Sequence, residues 1–235
     1  MRRPTIIRSS GREEITLDKG DRRPLASRNT RWAQTIAKRM AALSITPNAI
    51  SQASIAAAAV AGLAFWIAGE TSGTARSLLL VAAALFCQLR LLCNLFDGMV
   101  AVEGGKAAAD GPFWNEFPDR IADILILAGV GYGIGAPSLG WAAAAFAVLT
   151  AYVRELGRAN GAPSDFSGPM AKQHRMAVIT AAALFSAVEF LWHGRNEVLT
   201  LALSIVAIGA SLTAFRRARR QVRWLKERKA WQSTP

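Results

Sequence analysis

The chain has 235 residues, 52% of them hydrophobic, with 28 Lys and Arg against 16 Asp and Glu. The net charge of +12 would suit a nucleic-acid binder, but eleven of the basic residues precede residue 40, eight follow residue 215, and most of what lies between is apolar. That distribution excludes nucleic acid as the partner. It also excludes a soluble globular domain, because Ala-, Leu- and Gly-rich runs recur at lengths near the roughly 20 residues that cross a bilayer.

Residues 1–30 read as a basic cytoplasmic tail. No apolar segment follows its charges until after Pro47, so this start is expected to be retained and not cleaved as a signal peptide. Residues 31–45 predict an amphipathic helix lying in the membrane interface: Trp32, Ile36, Met40 and Leu43 recur at three- and four-residue steps, with Lys38 and Arg39 elsewhere on the wheel. Thr46 is placed to cap the next helix, and Pro47 takes its first position, where a missing N–H costs little.

Six membrane spans are expected, near 49–69, 78–98, 119–136, 138–156, 176–193 and 197–215. Together they form one transmembrane domain over 46–215 of an all-α, polytopic membrane protein. With both termini cytoplasmic, the outer links around Arg76, Pro137 and Arg195 hold two Arg and no Lys, which satisfies the positive-inside rule. Trp66, Trp141 and Trp192 then fall at the outer ends of spans.

Cys87 and Cys93 sit six apart on one predicted helix, cannot pair with each other, and read as packing residues. Gly129, Gly131, Gly133 and Gly135 on the third span form two overlapping small-xxx-small pairs suited to close helix contact, within the chain or between protomers. A homodimer is expected. Residues 216–235 are a second basic cytoplasmic tail, suited to the anionic headgroups of membrane lipids.

The chemistry is concentrated in residues 94–123, which hold six of the sixteen acidic residues. Asn94, Asp97 and Ala101 share one face of the cytoplasmic end of the second span. Asp119 and Asp123 share one face at the start of the third. Packing of these antiparallel helices would bring three carboxylates and an amide oxygen together at the inner membrane boundary. An ionised side chain at mid-bilayer costs about 2.5–3.5 kcal/mol, a cost that falls near the interface and when a cation is bound. Oxygen ligands without His or Cys favour Mg²⁺ or Mn²⁺, ions that commonly bridge carboxylates to a substrate's phosphates. The alternative is a merely solvated loop, which would have no reason to keep helical phase.

The stretch "NLFDGMVA…NEFPDRIAD" resembles the signature of the CDP-alcohol phosphotransferases, D-x-x-D-G-x-x-A-R followed by G-x-x-x-D-x-x-x-D. Asp97, Gly98, Ala101, Asp119 and Asp123 match it directly. Asn94 stands in place of the family's first Asp, Val102 in place of its Arg and Asn115 in place of its second Gly. The connecting loop is also long for the pattern.

The resemblance implies a phospholipid-synthesising enzyme of the bacterial inner membrane with its active site on the cytoplasmic side. A CDP-linked donor, typically CDP-diacylglycerol, is attacked by an alcohol at the phosphorus bonded to the lipid, and CMP leaves. Two divalent ions, Mg²⁺ or Mn²⁺, would be held by Asn94, Asp97, Asp119 and Asp123, with Asp123 deprotonating the acceptor. Gly98, Ala101 and Asn115 would face the CDP donor. In relatives that use a phosphorylated acceptor, basic residues between the fourth and fifth spans hold its phosphate, a role open here to Arg154, Arg158, Lys172 and Arg175. His174 in the same link is expected to be structural.

Arg90 lies one turn before Asn94 on the same face and is placed to tune the charge of the metal site. Asn94 and Val102 also leave open an inactive relative that serves as a membrane scaffold. A transporter is a third class, which charges at mid-membrane would favour.

Overall fold

A computed structural model describes residues 30–103, 110–192 and 194–232. Apart from Thr30, the N-terminal tail lies outside the described residues, as do residues 104–109 of the acidic segment. Among the described residues there are seven α-helices and no strand. They are α1 (Arg31–Ala42), α2 (Pro47–Glu70), α3 (Gly73–Glu103), α4 (Gly111–Gly133), α5 (Pro137–Ala159), α6 (Lys172–Ser186) and α7 (Glu197–Gln232), with a 3₁₀ turn at Glu189–Trp192.

Four stretches, Pro47–Glu70, Gly73–Val102, Pro137–Ala159 and Glu197–Arg228, are long and apolar enough to cross a membrane. These are the dimensions of an integral membrane protein. The remaining two expected spans differ. The first half of α4 carries Glu116, Asp119, Arg120 and Asp123, so its apolar part is short. The expected span 176–193 divides into the 15-residue α6 and the 3₁₀ turn, because Ser186 and Glu189 are drawn into a polar network. α7 continues well beyond the sixth apolar run, so most of the basic segment after residue 215 is helix.

Local chemistry explains the helix ends. Thr46 accepts the Ala49 N–H at 3.2 Å and Pro47 opens α2, as the sequence implies. α4 stops at Gly133, and Gly135 then takes φ +72°, a conformation that a residue with a Cβ resists. The start of α7 is held by Glu189, which accepts the N–H groups of Val198 at 2.8 Å and Asn196 at 3.1 Å and pairs with Arg76 at 3.0 Å.

The helices close into a ring in the order α2, α4, α5, α7, α6, α3 and back to α2. α1 rests on α3 through Ala33 and Ala37, leaving Trp32, Ile36 and Leu43 exposed. The glycines of α4 work within the chain. A methyl group at Gly129 would lie 2.6 Å from the Gly62 Cα of α2, and one at Gly131 would lie 2.6 Å from the Gly140 Cα of α5. Gly129 and Gly131 thus let α4 approach a neighbour on either side at backbone distance. That close fit seats α4 in the ring between α2 and α5.

Candidate active site

Elements far apart in sequence bring their polar residues to one end of the ring. α2 contributes Ser51 from its first turns, and α3 contributes Arg90, Asn94 and Asp97 from its C-terminal half. Asp119 and Asp123 come from the first half of α4, Arg154 from the end of α5, and Lys172 and Arg175 from the start of α6.

Asp97, Asp119 and Asp123 are all buried. Asp119 Oδ1 accepts from Arg90 Nη2 at 3.1 Å and from Asn94 Nδ2 at 2.7 Å, while its Oδ2 is paired with Lys172. Asp123 Oδ2 pairs with Arg175, and its Oδ1 lies 3.6 Å from Arg90 Nη2. Asp97 meets neutral donors, the Ser51 hydroxyl at 3.0 Å and the Gly98 N–H at 2.5 Å. Two carboxylates, Asp119 and Asp123, therefore face three cations, Arg90, Lys172 and Arg175. Burial on this scale demands such pairing, since an uncompensated charge taken out of water costs several kcal/mol, on the order of 3–5.

Asn94 faces Asp119. It turns its amide nitrogen, not its oxygen, to Asp119, because an ionised carboxylate can only accept. Arg175 lies deeper in the site. It is buried, donates to the Met170 carbonyl at 2.9 Å, and holds Asp123. Arg154 stacks 5.1 Å over Phe166 and pairs with Glu116 and Glu155, and Lys172 keeps a quarter of its side chain exposed. Arg158 is exposed and pairs with Glu155 at 3.1 Å. His174 is exposed, with Nδ1 at 3.0 Å from the Pro169 carbonyl. Gly98 and Ala101 are half-buried, and Asn115 and Val102 are exposed.

Ser51, Glu116 and Arg120 were not singled out by sequence reasoning. Ser51 is one hydroxyl in an apolar helix, and nothing local announces its bond to Asp97. Glu116 and Arg120 are an i,i+4 pair on the helix that bears Asp119 and Asp123, and that spacing was the available signal.

Among the described residues no group of three His, Cys, Asp or Glu side chains is arranged to hold a metal ion. The donors nevertheless suit a hard divalent cation, being oxygen throughout. Asp123 Oδ1 is buried without a hydrogen-bond partner among the described residues, an acceptor that a cation would satisfy.

This arrangement of helices is shared with solved structures. The chain matches the crystal structure of Mycobacterium tuberculosis phosphatidylinositol phosphate synthase, PgsA1, with CDP-DAG bound at a TM-score of 0.69 and 18% identity, covering 82% of this chain and 94% of that one. The same enzyme in complex with manganese and citrate matches at 0.68 and 18%, covering 80% and 88%. Its apo form matches at 0.64 and 18%, covering 79% and 93%. No protein-family model matches the sequence, and no curated protein does. The likeness at this identity is one of fold.

Proposed function

We propose that this chain is a CDP-alcohol phosphotransferase of phospholipid synthesis, moving a substituted phosphate group from a CDP-linked lipid, CDP-diacylglycerol, to an alcohol with release of CMP. The observation that carries this reading is the meeting of Asp97, Asp119 and Asp123, the residues that match the family signature, in one buried site of a fold shared with a synthase solved with CDP-DAG bound.

A divalent ion, Mg²⁺ or Mn²⁺, held by these carboxylates would neutralise the phosphate oxygens of the donor. Asp123 takes the acceptor's hydroxyl proton while Arg175 fixes its Oδ2. The acceptor oxygen bonds to the phosphorus attached to the lipid, and the bond from that phosphorus to CMP breaks. Gly98 and Ala101, without bulk on their face of α3, admit the nucleotide. Asn115 lines its approach. Arg154, Arg158 and Lys172 receive the phosphate of a phosphorylated acceptor, and Arg175 acts there only through Asp123.

Six spans complete the topology, with α4 and α6 as the two less apolar crossings of the ring. Residues 46–215 form the catalytic domain, 31–45 lie in the interface through Trp32, Ile36 and Leu43, and 1–30 and 216–235 are basic cytoplasmic segments of an inner-membrane protein. A homodimer is included in this reading.

CMP release from radiolabelled CDP-diacylglycerol tests it, with purified protein, a panel of plain and phosphorylated alcohols, and Mg²⁺ present or absent. Release that requires both an alcohol and Mg²⁺ is the expected result. No release with any alcohol would favour the second reading, an inactive relative. The full pairing of Asp119 and Asp123 by Arg90, Lys172 and Arg175 is the observation on its side. A transporter is disfavoured, since the buried carboxylates lie toward one end of their helices.

A further inference from the structure

Arg90 is wholly buried on α3, one turn before Asn94 and two before Asp97. Its Nη2 lies 3.1 Å from Asp119 Oδ1 and 3.6 Å from Asp123 Oδ1, so a single nitrogen bridges the two carboxylates that α4 presents on one face. It also reaches the Asp119 backbone carbonyl at 3.4 Å. Its Nε and Nη1 have no hydrogen-bond partner among the described residues, and neither does Asp123 Oδ1. Its guanidinium is a planar fork of donors that brings positive charge against both carboxylates.

Asp119 has both oxygens engaged, by Arg90 and Asn94 on one and Lys172 on the other. Asp123 has one oxygen on Arg175. What remains for a cation is Asp123 Oδ1 together with Asp97, whose donors are neutral and whose charge is otherwise uncompensated by any direct contact among the described residues. Those two carboxylates offer ligand oxygens to one divalent ion. A second ion would have to share Asp119 and Asp123 with a fixed positive charge at contact distance.

We infer that Arg90 is a built-in cation standing in for one metal ion, so that this chain binds a single divalent ion where the sequence resemblance implies two. The inference rests on the metal-dependent transferase reading. Asn94 belongs to the same device. By giving Asp119 an N–H instead of adding a fourth carboxylate, it keeps the site balanced around Arg90.

The test counts ions. Purified full-length protein in detergent with CDP-diacylglycerol is titrated with Mn²⁺, and bound ion is measured from the loss of the free Mn²⁺ electron paramagnetic resonance signal. The wild type should bind one Mn²⁺ per chain, and so should Arg90→Lys, which keeps the charge. Asn94→Asp should still bind one, more tightly. The double variant Arg90→Gln with Asn94→Asp should bind two. Two ions in the wild type would overturn the inference, and so would one ion in a double variant that melts cooperatively. If the double variant does not fold, the wild-type and Asn94→Asp counts decide. A wild type that binds no Mn²⁺ also overturns it. The transferase reading falls separately, when CMP release is absent at every Mg²⁺ concentration.

Discussion

Arg175, in the first turn of α6, donates its Nη2 to Oδ2 of Asp123 on α4, joining two buried side chains 52 positions apart. Arg90 approaches the other oxygen of Asp123 from α3, so three helices of the ring meet on this one carboxylate.

A buried pair that loses one partner leaves the other charge uncompensated. Arg175→Met should therefore lower stability by about 3–5 kcal/mol, while the double change with Asp123→Leu should recover much of it. Thermal unfolding in detergent measures both. Equal melting temperatures for wild type and Arg175→Met would remove the pair from the fold's support.

Asp97 has only the Ser51 hydroxyl and the Gly98 N–H as direct partners, so Asp97→Asn should leave stability within about 1 kcal/mol of wild type. It should nevertheless abolish CMP release, because a charged ligand is gone from the proposed metal site. The two effects are separated by assaying release and melting temperature on one preparation. Retained turnover would take Asp97 out of the site.

Arg154 and Lys172 face the acceptor in the proposed reaction, and Ala at either should raise KM for a phosphorylated alcohol about tenfold or more with a smaller change in kcat. Glu116→Gln should act in the opposite direction. Glu116 is the carboxylate that Arg154 and Arg120 share, and neutralising it leaves both cations more available to a phosphate. An unchanged KM in all three variants would point to a plain alcohol as the acceptor.

Gly129 and Gly62 hold α4 against α2 at backbone distance, and a methyl group at Gly129 would have nowhere to go without moving a helix. Gly129→Val should cost about 1–3 kcal/mol or more and reduce the yield of monodisperse protein in size-exclusion chromatography. Gly73→Ala is the control. It has open space around it but a φ of +59°, so its cost, about 1–2 kcal/mol, comes from backbone strain alone and should leave the yield of monodisperse protein unchanged.

Asp165, in the link between α5 and α6, is partly desolvated, yet the hydroxyl and N–H of Ser167 and the guanidinium of Arg220 on α7 hold its pKa below the ordinary 3.8. A carboxyl lowered by folding adds stability above its unfolded pKa and loses it as the pH falls through the folded value. Amide exchange at Ser167, corrected for intrinsic rates, should therefore show protection falling as the pH drops below about 4. In Asp165→Asn that protection should be weak and independent of pH. A pH-dependent change that survives in Asp165→Asn would assign it to another group.

What the sequence by itself determined was everything carried by local spacing. The cap at Thr46, the helical phase that puts Asn94 with Asp97 and Asp119 with Asp123, and the apolar runs of the four long spans all follow from residues within one or two turns of each other. The tertiary structure decided partners. Lys172 and Arg175 look from the sequence like parts of one basic link, yet the first meets Asp119 and the second is buried on Asp123, because the packing of α6 on α3 delivers them to different depths. The glycines of α4 have the same spacing whether they meet another copy or this one, and only the ring shows them against α2 and α5. Asn94 could present an oxygen or a nitrogen. Its orientation was set by Asp119, an ionised neighbour on the facing helix that can only accept a hydrogen bond.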